Sequence, residues 1–176
     1  MENDLSRHRL IELSALCARY CSALEEARET DRSEFIDTML HLLPRIYYEF
    51  IDIRPAVGVE PDFEGGIPAS YVDEDFYESV RRRVESLIGP DDVFLETFEE
   101  DMKYSDTPVA ASVAECLADI FQPLYNFISV VSDTQGERAE EAYSECHDDF
   151  VAYWAQTLCN VLRALNHIYL TSDRNE

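Results

Sequence analysis

Glu115 and Asp119 stand four residues apart, and Gln122 and Asn126 continue the same polar stripe at helical spacing. Paired carboxylates on helices hold iron or manganese in ferritin-like bundles. His147 offers a further donor, because on a helical wheel it falls beside Val151 and Trp154 on an inward face, in line with Glu140 and Ser144. A half-buried imidazole near carboxylates can bind a metal or carry a proton, while the plainer reading is a core histidine with one hydrogen bond satisfied. The candidate metal ligands are therefore Glu115, Asp119, Glu140 and His147. Two features oppose them. Bundle chemistry of that type uses Glu-x-x-His pairs, which the chain lacks, and the Glu115 stripe lies opposite Leu117, Ile120 and Leu124. Unless its helix is wrapped on both sides, the stripe should face water.

No other grouping reads as a reaction centre. Glu99, Glu100 and Asp101 are consecutive and could meet one hard cation only from a loop, and no EF-hand spacing accompanies them. Asp37 and His41 form an exposed pair of small worth. Cys17 and Cys21 share a helix face with Leu13, Tyr20 and Leu24, which is core packing; five cysteines without a CxxC pair read as reduced thiols of a cytoplasmic protein. No nucleophile constellation or phosphate loop is present, so no catalytic residue and no cofactor is predicted. Arg81, Arg82 and Arg83 project in different directions from a helix. Arg82 should pair with Glu78, Arg81 with Glu85, and Arg83 with an acid from elsewhere such as Asp101.

Charge limits the partners. The chain carries 37 Asp and Glu against 14 Lys and Arg, a formal net charge of -23. Such a surface repels phosphate, which disfavours direct nucleic acid or anionic membrane binding and favours a basic protein, a cationic ligand or a divalent metal. The longest runs free of Asp, Glu, Lys and Arg, Ile120–Ser132 and Phe150–Leu162, are far short of the roughly 20 residues of a bilayer span. The N-terminus has acids early and no apolar stretch of signal type.

The elements that must position these groups are helices. Apolar residues recur near a period of 3.6 over about Leu5–Glu29, Ser33–Ile51, Asp73–Ile88, Thr107 onward to Gly136, and Glu137–Thr171. Pro44 and Pro123 predict kinks, and Thr107 before Pro108 predicts the start of the fourth helix, whose buried stripe begins at Val109. The fifth, about 50 Å long at helical rise, is the natural spine. Residues 53–72 are rich in Pro and Gly and read as a loop within one domain spanning 1–176. The stretch 91–105 stays open, since Val93, Leu95 and Thr97 alternate like a strand while Phe94, Phe98 and Met102 suit a helix. The fold class is an all-α, single-domain bundle of about five helices with a long C-terminal helix. With 46% hydrophobic residues it should form a packed core.

The run FEEDMKYSDTPVAASVAECLADIFQ, Phe98 to Gln122, preceded by DDVFLE and by SVRRRV in the third helix, resembles a family of uncharacterised bacterial proteins best represented in Bacteroides-type bacteria. That resemblance implies a helical cytoplasmic protein over most of the chain and transfers no functional residue. Composition and resemblance together point to an acidic interaction or regulatory module that docks a basic protein and has no catalysis of its own. A carboxylate and histidine metal-binding bundle, possibly enzymatic, is one alternative; mimicry of nucleic acid by the acidic surface is the other. The oligomeric state is left open.

Overall fold

The computed structural model describes residues 2–58, 70–96, 103–104 and 107–172, with side chains from residue 6 onward. Helix α1 (Glu2–Glu25) leads to α2 (Arg32–Asp52) and α3 (Glu74–Ile88); a 3-10 turn (Gly89–Asp92) then enters strand β1 (Val93–Leu95). Strand β2 (Ala110–Ser112) runs straight into α4 (Val113–Asp133). The chain closes with a rod of 34 residues, formed by α5 (Ala139–Asp149), a π-helical turn (Phe150–Trp154) and α6 (Ala155–Ser172). This is the expected all-α bundle.

Its helices begin where a side chain can satisfy the first free amides. The Asp31 carboxylate accepts from the Ser33 and Glu34 amides ahead of α2, and Asp73 accepts from the Phe76 amide at 2.8 Å ahead of α3. Gly89, at φ 68°, ends α3. Past α4, the Gly136 amide reaches back to the Val131 carbonyl at 2.8 Å with φ 78° at the glycine, a left-handed stop that an L side chain would strain. Pro44 and Pro123 sit inside α2 and α4, which continue through them. Pro44 is exposed, so the Leu40 carbonyl that it deprives of a partner is on the wet side of the helix.

The fourth helix starts later than Thr107–Pro108 implies. Residues 110–112 instead pair antiparallel with 93–95, Val93 opposite Ser112 and Leu95 opposite Ala110. Val109, expected in the buried stripe, is 37% exposed. Helix α4 waits for better acceptors: Ser112 Oγ takes the Glu115 amide at 3.1 Å, and the buried Asp92 carboxylate takes the Ala114 amide at 2.8 Å and the Ser112 hydroxyl at 2.6 Å. A carboxylate there also faces the positive end of the helix dipole. Within 91–105, only the 3-10 turn, β1 and residues 96 and 103–104 are described, and residues 59–69 of the Pro- and Gly-rich segment lie outside the described residues.

Helix α4 is the hub, packing on α1, α3, α5 and α6, while α2 packs on α1 and α6. The core is aromatic along the rod. Phe50 lies 5.3 Å from Tyr143, 5.2 Å from Phe150 and 4.7 Å from Trp154, ring centroid to centroid. Two buried hydroxyls cross-link distant backbone, Tyr20 to the Leu117 carbonyl at 2.8 Å and Tyr143 to the Ile53 carbonyl at 2.7 Å.

Candidate functional site

Because α3 and the rod both pack against α4, the outward stripe of α4 runs between them. Asp119 is the meeting point. Tyr77 of α3 donates its hydroxyl to Asp119 Oδ1 at 2.6 Å, and Tyr153 of the π-turn donates to Oδ2 at 2.8 Å. Burial, then the hydrogen bond to Asp119, pushes the Tyr77 phenol well above its ordinary range, and the same causes push Tyr153 up to about 12. Both phenols thus stay protonated donors at neutral pH. Each Asp119 oxygen already receives one of them, so the carboxylate serves first as a tie between three elements.

The other candidates are dispersed around this tie. Glu115 is exposed on the first turn of α4, and Glu140 is half-buried on the first turn of α5. His147 is half-buried too, but its ring sits among Phe50, Tyr143 and Phe150 at centroid distances of 6.5, 5.7 and 5.9 Å. It is an aromatic packing element there. Among the described residues, no three or more His, Cys, Asp or Glu side chains gather closely enough to hold a metal ion. Val151, expected inward beside His147, is 70% exposed, because as the residue after the buried Phe150 it projects about 100° away from that side chain.

Nucleophilic chemistry has no support in the thiols. Burial pushes Cys17, Cys21 and Cys146 far up, and Cys116 rises to about 12 through burial and then through the charges of Glu96, Asp119, Glu115 and Asp92. The thiolate that would react is disfavoured at each. All five cysteines are free.

Eight of the described cations are directed to the chain's own acceptors, while Arg19, Arg28, Arg45, Arg54 and Lys103 are exposed. Arg81 bonds Glu78 and Glu85 at 3.0 Å, and Arg82 lies 3.4 Å from Glu78, as their spacing implies. Arg9 pairs with Asp52 at 2.6 Å, Arg32 with Asp91, and Arg138 with Glu141 at 2.5 Å. Arg83 differs from the expected salt bridge. Its Nη1 donates to the Glu25 carbonyl at 2.5 Å, so a helix C-terminus takes the place of an acidic side chain, and Asp101 lies outside the described residues. Arg163 likewise donates to the Leu95 carbonyl at 2.8 Å, and Arg7 to that of Gln135 at 3.1 Å.

Over residues 5–171 the sequence matches a family described as Domain of unknown function (DUF5063). The chain belongs to that family. The solved structure of protein BF1032 from Bacteroides fragilis is similar to this one, with a TM-score of 0.73 and 28% identity over 91% of each chain. Among curated proteins none matches the chain. The resemblance carried by Phe98–Gln122 is therefore to the right kind of family, an uncharacterised one, and the chain has a structural neighbour in a Bacteroides. In this DUF5063 chain the residues that periodicity did not single out are Tyr77, Tyr153, Asp92, and the buried pair in which Asn160 donates to Glu96. Tyr153 is one of three aromatic residues in Phe150–Trp154, and periodicity gave no sign that it would reach Asp119.

Proposed function

We propose that the protein is an acidic interaction module, working in the cytoplasm, whose anionic coat docks a basic protein partner without catalysis of its own. The observation that carries this reading is the fate of the cations. Arg9, Arg32, Arg81, Arg82 and Arg138 answer carboxylates within the chain and Arg7, Arg83 and Arg163 answer carbonyls, and with 37 Asp and Glu against 14 Lys and Arg most carboxylates can meet no cation of the same chain. An uncompensated anionic surface raises the encounter rate with cationic proteins and lowers it with polyanions. Five free cysteines suit a reducing compartment, and no helix among the described residues is long and apolar enough to cross a membrane.

The test is affinity purification of the tagged chain from its native cell at low and at high salt. A stoichiometric basic protein, present at low salt and released at high salt, is the expected result. Recovery of chaperones alone, or of a partner indifferent to salt, would overturn the reading.

A further inference from the structure

Helix α2 has one apolar strip that the core does not use. Phe35, Met39, Leu42, Leu43, Ile46 and Phe50 form its buried stripe. The opposite side, which an amphipathic helix should fill with polar residues, carries Pro44, Tyr48 and Ile51 toward its C-terminal end. At about 100° per residue these three fall within about 60° of one another, spaced i, i+4 and i+7, so they share one face. All three are exposed, Tyr48 by 62% and Ile51 by 58%. A contiguous apolar strip rimmed by charge marks an interaction surface.

The charges beside the strip say what covers it. Arg45 and Asp52 stand two helical turns apart on the same flank of Pro44, Tyr48 and Ile51. Arg45 is exposed, as is Arg54 just past the helix end, and neither has a carboxylate partner among the described residues. Asp52 is exposed too and accepts Arg9 on Oδ2 at 2.6 Å, with a second oxygen to offer. Most of the surface of a chain of net charge -23 repels a second copy of itself, but this end of α2 brings unpaired cations to an apolar strip.

We propose that the strip is a contact between two copies of this chain, α2 packing antiparallel on α2 across a two-fold axis beside Tyr48. A two-fold interface has to complement itself, residue i meeting j where j meets i. This flank does so. The axis reverses the helix direction and keeps each flank on its own side, so Arg45 comes opposite the partner subunit's Asp52, and Asp52 opposite the partner subunit's Arg45. Tyr48 meets its own counterpart at the centre, with Ile51 against the partner subunit's Pro44 at either end. The inference needs only α2 and stands apart from the acidic-module reading.

Sedimentation velocity of the full chain from about 1 to 100 μM, at physiological salt to screen repulsion between the two coats, should show a reversible shift from monomer to dimer. Arg45→Asp sets carboxylate against carboxylate across the axis, and Asp52→Arg sets guanidinium against guanidinium. Each variant alone should therefore dimerise at least about tenfold more weakly. Mixed in equal amounts they restore both opposite-charge pairs, and the mixture should recover to within about threefold of the unaltered chain. Tyr48→Asp should weaken the dimer at least about tenfold, while Val151→Asp, exposed on the rod, should change it less than about twofold. Circular dichroism checks each fold; if Asp52→Arg, which gives up Arg9, does not fold, Tyr48→Asp against Val151→Asp decides. A chain that stays monomeric over that range, a mixture no stronger than its parts, or equal effects of Tyr48→Asp and Val151→Asp would overturn the contact.

Discussion

On its α2 side the rod is held mostly by shape, with Tyr143 bonded to the Ile53 carbonyl at the helix end, and on its α4 side more by direction. Phe50 nests against Tyr143, Phe150 and Trp154 with no hydrogen bond between them, and the buried Trp154 indole N–H has no acceptor among the described residues. Across the rod, Tyr153 bonds Asp119, Asn160 bonds Glu96, and Arg163 bonds the Leu95 carbonyl. Apolar burial supplies the larger free energy but accepts many arrangements of similar volume. Hydrogen bonds contribute less net stability each, yet an unmade one inside the protein is costly, so they select one register. The difference teaches that this bundle separates holding together from holding in place. At the π-turn both flanks meet, with Phe150 and Trp154 buried and Tyr153 reaching Asp119.

If the α2 flank carries the stability, Trp154→Ala should lose about 3–5 kcal/mol in denaturant unfolding. A loss below that of the polar variants would reverse the comparison. Next comes the head of α4, where Asp92→Ala strands the Ala114 amide and the Ser112 hydroxyl and should lose about 2–3 kcal/mol, with Asp92→Asn recovering part by keeping an acceptor. Equal losses for Ala and Asn would mean that charge at the helix head, and not the acceptor, is what matters.

Tyr153→Phe should lose about 0.5–1.5 kcal/mol and leave the rod helical by circular dichroism. The same bond has a pH signature. A phenol whose folded pKa is raised from 10.0 to about 12 contributes stability that is full below the lower value and is lost as pH rises through the upper one. Stability should therefore fall between those pH values, and ultraviolet titration of Tyr153→Phe should lack one late-ionising phenol. The smallest effect is expected outside both flanks. Glu145→Gln with Asp149→Asn should raise the melting temperature by about 1–2 °C at low salt, because their folded pKa values are raised and the charged forms are disfavoured at neutral pH. Moderate sodium chloride should raise the melting temperature of the unaltered chain and shrink that difference; a fall on adding salt would show that specific pairs outweigh repulsion.

The α2 flank was legible beforehand. Of the expected stripe Tyr143, Cys146, Phe150, Trp154, Thr157, Val161, Leu165 and Ile168, all but Thr157 are buried, and Leu158 is buried beside it. Arg81 and Arg82 were legible for the same reason, their partners lying three or four residues away. The head of α4 was not. Thr107–Pro108 has the local chemistry of a helix start, but Asp92 and the pairing of residues 110–112 with 93–95 outcompete it with contacts that local chemistry does not register. The metal candidates failed to assemble for a related reason: Glu115 and Asp119 share a helix turn, but nothing in their spacing says that two tyrosines arrive at Asp119 first.

Periodicity alone was enough for the helical class, the number of rods and the anionic excess, because a helix repeats its geometry every few residues and composition is independent of conformation. Folding had to supply the hydrogen-bond partners named above for Asp119, Asp92, Glu96 and Arg83, which lie between 20 and 64 residues away along the chain. A hydrogen bond forms only within about 3 Å and near one line, so its existence depends on how whole helices come to rest against one another.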